Sequence, residues 1–194
     1  MISRTIADAR PARSLPPVSA AWLERVALHY LDRYSASTEM LRRTLRRRVD
    51  KRCRAREEDP GAHVALIEDT VARALRAGLV DDARFTAARL ATLRRRGVST
   101  RGAGAKLAAK GVARETVEAA LEGERNEADG DAEIDAVAAQ TYARRRRLGP
   151  YRRPDAREAH RERDLAAMAR AGFAYGIAKA VIDAEGDAAA GPDA

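Results

Sequence analysis

From Ser19 onward the apolar residues of this chain recur at intervals of three and four, the spacing that lines one face of an α-helix. Trp22, Leu23, Val26, Ala27, Tyr30, Leu31 and Tyr34 predict a first helix. Met40, Leu41, Thr44, Leu45 and Val49 predict a second, opened by the cap oxygens of Ser35-Ala36-Ser37-Thr38. A charged stretch from Asp50 to Asp59 ends at Pro60-Gly61, after which Val64, Ile67, Val71, Ala74 and Leu75 trace a third helix closed by Gly78. Asp81, an N-cap ahead of Phe85, opens a fourth helix ending at Gly97, and Ser99 or Thr100 caps a fifth that stops at Gly111. A short sixth helix carries Val117, Ala120 and Leu121. Three more follow: Ile134 to Arg147, with Val137, Ala138, Thr141 and Tyr142 inward; Asp155 to Ala171; and Tyr175 to Glu185.

These helices group in threes. The reading is an all-α chain of tandem three-helix, helix-turn-helix-like modules in an elongated, curved arrangement: 20–80 with a charged insertion near 50–61, 81–123, and 132–186. A polar linker over 124–131 separates the last two, a disordered leader covers 1–19 and a flexible tail 187–194. An internal repeat supports the grouping. Leu107-Ala108, Gly111-Val112-Ala113, Val117 and Ala120-Leu121 align without gaps on Met168-Ala169, Gly172-Phe173-Ala174, Ala178 and Val181-Ile182, at a constant offset of 61 residues. In each copy an apolar residue follows the glycine, as expected where a left-handed residue ends a helix and the next side chain folds back on it. The first module fits loosely, because Leu45-Arg46-Arg47-Arg48-Val49 lacks the glycine.

Composition narrows the function. The 194 residues are 45% apolar but only 4% aromatic, so small helical modules are expected rather than one thick core. The single cysteine, Cys53, excludes an internal disulfide framework and a four-cysteine zinc site, and fits a cytoplasmic location. No run approaches the ~20 apolar residues that cross a bilayer. His29, His63 and His160 form no two-histidine metal spacing, and His29 is expected as a partly buried packing residue beside the first apolar face. Cys53, among arginines that would lower its thiol pKa, reads as an incidental exposed residue. Gly102-Ala103-Gly104-Ala105-Lys106 lacks the phosphate-loop spacing and reads as the weak first turn of a helix. Asp81-Asp82 is a cap and a dipole partner rather than a catalytic pair. Neither catalysis, a metal nor a cofactor is expected.

Arginine carries the positive signal. The formal charge is +8, and basic residues cluster at Arg42, Arg43, Arg46, Arg47 and Arg48, at Arg94, Arg95 and Arg96, and at Arg144, Arg145, Arg146 and Arg147, with Arg152 and Arg153 just beyond. Part of this is a dipole effect, since two clusters close a helix. Clusters at related places in successive modules nonetheless predict a repeated positive surface for an extended anionic partner, a nucleic acid backbone or a protein filament coating it. Scarce aromatics near the clusters argue against base stacking as the main contact.

Several stretches together resemble the RecX regulatory family. Gly78-Leu79-Val80-Asp81-Asp82-Ala83-Arg84-Phe85, then Arg94-Arg95-Arg96-Gly97, Leu107 and Lys110-Gly111-Val112, resemble its central module. Leu148-Gly149-Pro150-Tyr151-Arg152-Arg153 with Asp164-Leu165-Ala166 and Ala171-Gly172-Phe173 resemble its third, and Ser37-Thr38-Glu39-Met40-Leu41-Arg42-Arg43 its first. The chain departs from the family pattern at Thr100, where a proline is common, in the missing first-module glycine and in the insertion at 50–61.

The resemblance implies a non-enzymatic, monomeric regulator that lies in the groove of the RecA recombinase filament and restrains its ATP hydrolysis, strand exchange and SOS induction. It also implies structural roles for the motif residues Gly78, Asp81, Asp82, Phe85, Gly111, Gly149, Pro150 and Gly172. The alternative is a basic helix-turn-helix protein acting directly on DNA. Against it, the would-be reading helix offers Arg101, Lys106 and Lys110 but no Asn or Gln for adenine.

Overall fold

The computed structural model describes residues 16–128 and 130–185; the expected tail and the first fifteen residues of the expected leader lie outside them. Among the described residues the chain is all-α. Its helices are α1 (Ala20–Arg33), α2 (Thr38–Arg54), α3 (Val64–Arg76), α4 (Asp82–Arg95), α5 (Thr100–Ala109), α6 (Arg114–Glu127), α7 (Asp131–Arg146), α8 (Arg157–Arg170) and α9 (Tyr175–Ile182). They divide between two compact units. One holds the chain up to Tyr34 together with Leu41–Leu79; the other holds Ser35–Met40 and the chain from Val80 onward.

In the first unit α1 packs on α3, and the buried residues include Leu23 and Ala27 of α1, Leu41, Leu45, Val49 and Cys53 of α2, and Ile67, Val71 and Ala74 of α3. Ser19 caps α1, its hydroxyl accepting from the Trp22 amide, and Val18 before it, expected in the leader, is buried. The second helix continues through Arg54, well into the charged stretch expected to be an insertion. The reason lies in Cys53, which extends the buried face of α2 by one more turn after Val49.

The second unit is built on the predicted repeat. Phe85, Leu90, Leu93, Ala103, Leu107, Val112 and Val117 form one core cluster. Ala138, Ala139, Ala143, Leu165, Met168, Phe173, Ala178, Val181 and Ile182 belong to a second. Gly111 and Gly172 both take positive φ, and the next amide returns to the last turn in each copy: Val112 N–H to the Leu107 carbonyl, Phe173 N–H to that of Met168. The sixth helix is not short. It runs to Glu127 and occupies half of the stretch expected as a linker, its polar residues making helix rather than coil. Val137, expected inward, is exposed, because α7 turns its alanines to the core instead.

Helix ends lock the second unit together, through the same pair of residues used twice. Buried Ser99 donates its hydroxyl to the Ala171 carbonyl at the end of α8 (2.7 Å) and accepts the Gly102 amide at the start of α5 (3.1 Å). Its neighbour Thr100 gives both its amide (2.7 Å) and its hydroxyl (2.9 Å) to Asp135. Buried Ser37 likewise donates to the Lys110 carbonyl at the end of α5 (2.6 Å) and accepts the Met40 amide (3.2 Å), while the Thr38 amide goes to Asp82 (2.7 Å). Each serine satisfies a carbonyl that a helix C-terminus leaves unpaired, together with an amide that a helix N-terminus leaves unpaired. Gly172 makes room for one of these contacts: at φ +93° a β-carbon there would stand 2.8 Å from the Ser99 hydroxyl oxygen.

Ser99→Ala should therefore cost about 2 kcal/mol of unfolding free energy, the sum of a lost cap and a buried carbonyl left without its donor. The exposed Ser35→Ala should change it by less than about 0.5 kcal/mol; denaturant titration of the two variants measures the difference. Arg147 ends α7 in the left-handed region at φ 54°, where glycine ends α4 and α5. Arg147→Gly should stabilise the chain by about 1 kcal/mol, seen as a raised thermal midpoint.

Candidate functional site

The arginine clusters separate into side chains that the fold consumes and side chains that it leaves in water. Arg94 is consumed. It binds Glu124 (Nη2–Oε2 2.7 Å), the Val98 carbonyl (3.1 Å) and the Thr100 hydroxyl (3.1 Å), with Asp135 at 3.6 Å, and its side chain is only 15% exposed. Arg152 is consumed as well. Its guanidinium grips Asp164 (Nη2–Oδ1 2.7 Å, Nε–Oδ2 3.1 Å), and Asp164 in turn accepts the Gly149 amide at 2.9 Å. Arg42 and Arg46 share Glu68 in the first unit, at 2.9 and 3.1 Å. These four make ion pairs within the fold, and the side chains of Arg94 and Arg152 are 15% and 25% exposed.

Asp164 shows the electrostatic consequence. Burial pushes its carboxyl up, but the hydrogen bonds from Arg152 and the Gly149 amide outweigh burial and leave it below the usual carboxylate range. The same bond to Asp164 raises Arg152.

The remaining clusters are exposed. Arg43, Arg47 and Arg48 lie on the outer side of α2, Arg47 donating to the Thr44 hydroxyl at 3.2 Å. Arg95 donates to Thr92 at 3.2 Å, and Arg145 to the Arg96 carbonyl at 2.7 Å, which brings the end of the second cluster to the third. Arg144 stands over the Tyr151 ring and Arg146 over Tyr142. Arg153, 85% exposed, meets Asp155 at 3.3 Å.

Two concavities gather arginines that sequence clustering did not single out. A cavity of about 500 Å³ in the second unit is lined by Arg146, Arg163 and Arg170 together with Arg152, over a floor of Leu148 and Ala167. Arg163 and Arg170 are a helical seven apart on α8, so both project from one face, a spacing legible in the sequence had isolated arginines been weighed with the clusters. In the first unit, Trp22, His29, Tyr30 and Tyr34 meet Arg25, Arg33 and Arg48 around a cavity of about 400 Å³. His29 is thus exposed rather than packed, and half of the apolar face expected for α1 is an aromatic wall beside arginines. Arg52 stacks 4.0 Å from the Trp22 ring.

Comparison with known proteins fits this arrangement. The family description "RecX, second three-helix domain" matches residues 81–121. A protein named Regulatory protein RecX from Myxococcus xanthus (strain DK1622) is 44% identical over 168 residues, 86% of this chain and 87% of that protein. The chain belongs to the RecX regulatory family. A second RecX protein, from Agrobacterium fabrum (strain C58 / ATCC 33970), is 34% identical over 175 residues, 88% of each chain. No solved structure gives a significant match.

The RecX motif residues have structural places here. Asp81 caps α4 through the Arg84 amide (2.9 Å), and Asp82 holds Thr38. Phe85 is buried, Gly78 and Gly111 end helices at positive φ, and Gly149 and Pro150 begin the 3₁₀ turn that presents the Gly149 amide to Asp164. Thr100, read above as a departure from the family pattern, gives Asp135 an amide bond that proline could not make.

Asp164→Asn should destabilise the second unit by about 3 kcal/mol, because it strands the Arg152 guanidinium. Because the carboxyl lies below its usual range when folded, its contribution is complete above about pH 4 and is lost as pH falls through the depressed value. As pH falls below about 4, the unfolding free energy of the wild type should therefore drop more steeply than that of Asp164→Asn, and the gap between them should narrow, as followed by denaturant titration with circular dichroism across pH.

Proposed function

We propose that this chain binds the RecA recombinase filament and restrains its ATP hydrolysis, strand exchange and SOS-inducing activity. The observation that carries the reading is kinship with RecX regulators over 86% and 88% of the chain. Exposed arginines from α7 and α8 supply the contact chemistry, a forked donor set matched to phosphate or carboxylate. Inhibition follows if the chain binds one state of the filament more tightly than the others, bridging neighbouring subunits and opposing their rotation during the hydrolysis cycle. Because Arg94 is engaged by Glu124 and Thr100, the proposed contact is assigned instead to Arg163 and Arg170 beside Arg144, Arg145, Arg146 and Arg153.

The test uses the cognate recombinase on single-stranded DNA. The wild-type chain should inhibit ATP hydrolysis even at a salt concentration that abolishes its binding to naked DNA, whereas a direct DNA-binding regulator would lose both together. Reversing Arg163 and Arg170 to Glu should raise the half-inhibitory concentration by about tenfold or more, the scale of one lost charged contact. Full inhibition by that folded variant would overturn the assignment of this face.

A further inference from the structure

Cys53 is not exposed. It is fully buried on the last turn of α2, and burial, followed by the negative charges of Glu58, Asp50 and Asp59, pushes its thiol up, with only Arg56 opposing. Three consecutive acids, Glu57, Glu58 and Asp59, follow the basic end of α2 here.

The loop that follows brings two more donors to the thiol. The Cys53 carbonyl accepts the amides of both Arg56 and Glu58, each at 3.0 Å, and Glu57 between them turns through φ 57°. Asp59 then accepts the Gly61 amide at 2.9 Å and caps the 3₁₀ turn Pro60–His63. The backbone alone therefore folds the chain back on itself. As a result Cys53 Sγ, a Glu58 carboxylate oxygen and a His63 ring nitrogen all lie within 4.8 Å of one another.

We propose that Cys53, Glu58 and His63 form a binding site for a zinc-class divalent cation that pins the end of α2 to the Pro60–His63 turn. One sulfur, one nitrogen and one oxygen are a borderline-soft donor set, suited to Zn²⁺ and poorly suited to Mg²⁺ or Ca²⁺. Bonds of about 2.0–2.3 Å place tetrahedral ligands roughly 3.3–3.8 Å apart, so the three donors close on an ion by shifts of about 1 Å or less. Glu58 already receives Arg56 Nε at 2.7 Å, which orients the carboxylate as outer partners of metal ligands do and leaves it a second oxygen. Glu58 and His63 are half-buried, and a water molecule would complete a four-coordinate site. On binding, the thiol S–H bond breaks, its proton leaves to solvent and the thiolate sulfur bonds the cation. The site occupies the charged segment expected as an insertion at 50–61.

Co²⁺ is the probe, added to the full chain under reducing conditions. A near-ultraviolet thiolate-to-cobalt band with visible bands of tetrahedral intensity is expected, both abolished by stoichiometric Zn²⁺. Cys53→Ala should remove the near-ultraviolet band. Glu58→Gln and His63→Ala alter half-buried side chains and keep the test open if Cys53→Ala fails to fold; each should weaken Co²⁺ binding at least tenfold. A spectrum with no thiolate band, or an affinity that neither half-buried substitution changes, would overturn the site.

Discussion

The second unit depends on the mutual satisfaction of helix ends. A helix leaves amides unpaired at its start and carbonyls unpaired at its finish, and burying either without a partner is expensive. Ser99 answers both at once, joining the carbonyl end of α8 to the amide end of α5, while Thr100 hands its own amide to Asp135. Ser37 and Thr38 do the same against Lys110 and Asp82. Alanine-rich helices bury little area per residue, so such directional bonds decide which of several near-equivalent packings is adopted. Arg94 reinforces one of these joints by bridging Glu124, Thr100 and the Val98 carbonyl.

That demand divides the arginines by role. The chain uses guanidinium groups as internal ties at Glu68, Glu124 and Asp164, and carries further arginines at exposed positions of α2, α7 and α8. Runs of arginine in the sequence mix both kinds. Adjacent residues on a helix point about 100° apart, so a tripeptide such as Arg94-Arg95-Arg96 sends one side chain inward and two outward. Charge clustering along the chain therefore identifies positive regions without identifying which members are free to meet a partner.

Helix identity and register were legible because they rest on local periodicity, and so was the repeat, whose glycines carry the same backbone signature in both copies. The Ser–Thr joints were legible only as local caps, since their other partners stand more than seventy residues away for each serine. The ends of α2 and α6 were read short because polar residues there look like coil, while a single buried Cys53, or tertiary support, extends the helix. Cys53, Glu58 and His63 follow one another at intervals of five. That is no helical or strand spacing, and only the tight loop through Glu57 brings them together.

The Ser–Thr joint also has a direction. Its donors sit at the beginning of a middle helix, and its acceptors sit further along the chain, at the close of another helix and on an early acid. Before α8 stands Ala156, which makes no side-chain cap bond. The direction is therefore the same in both joints: each dipeptide ties an earlier segment to a later one, so the later segment must be folded before the earlier helix start is fully satisfied.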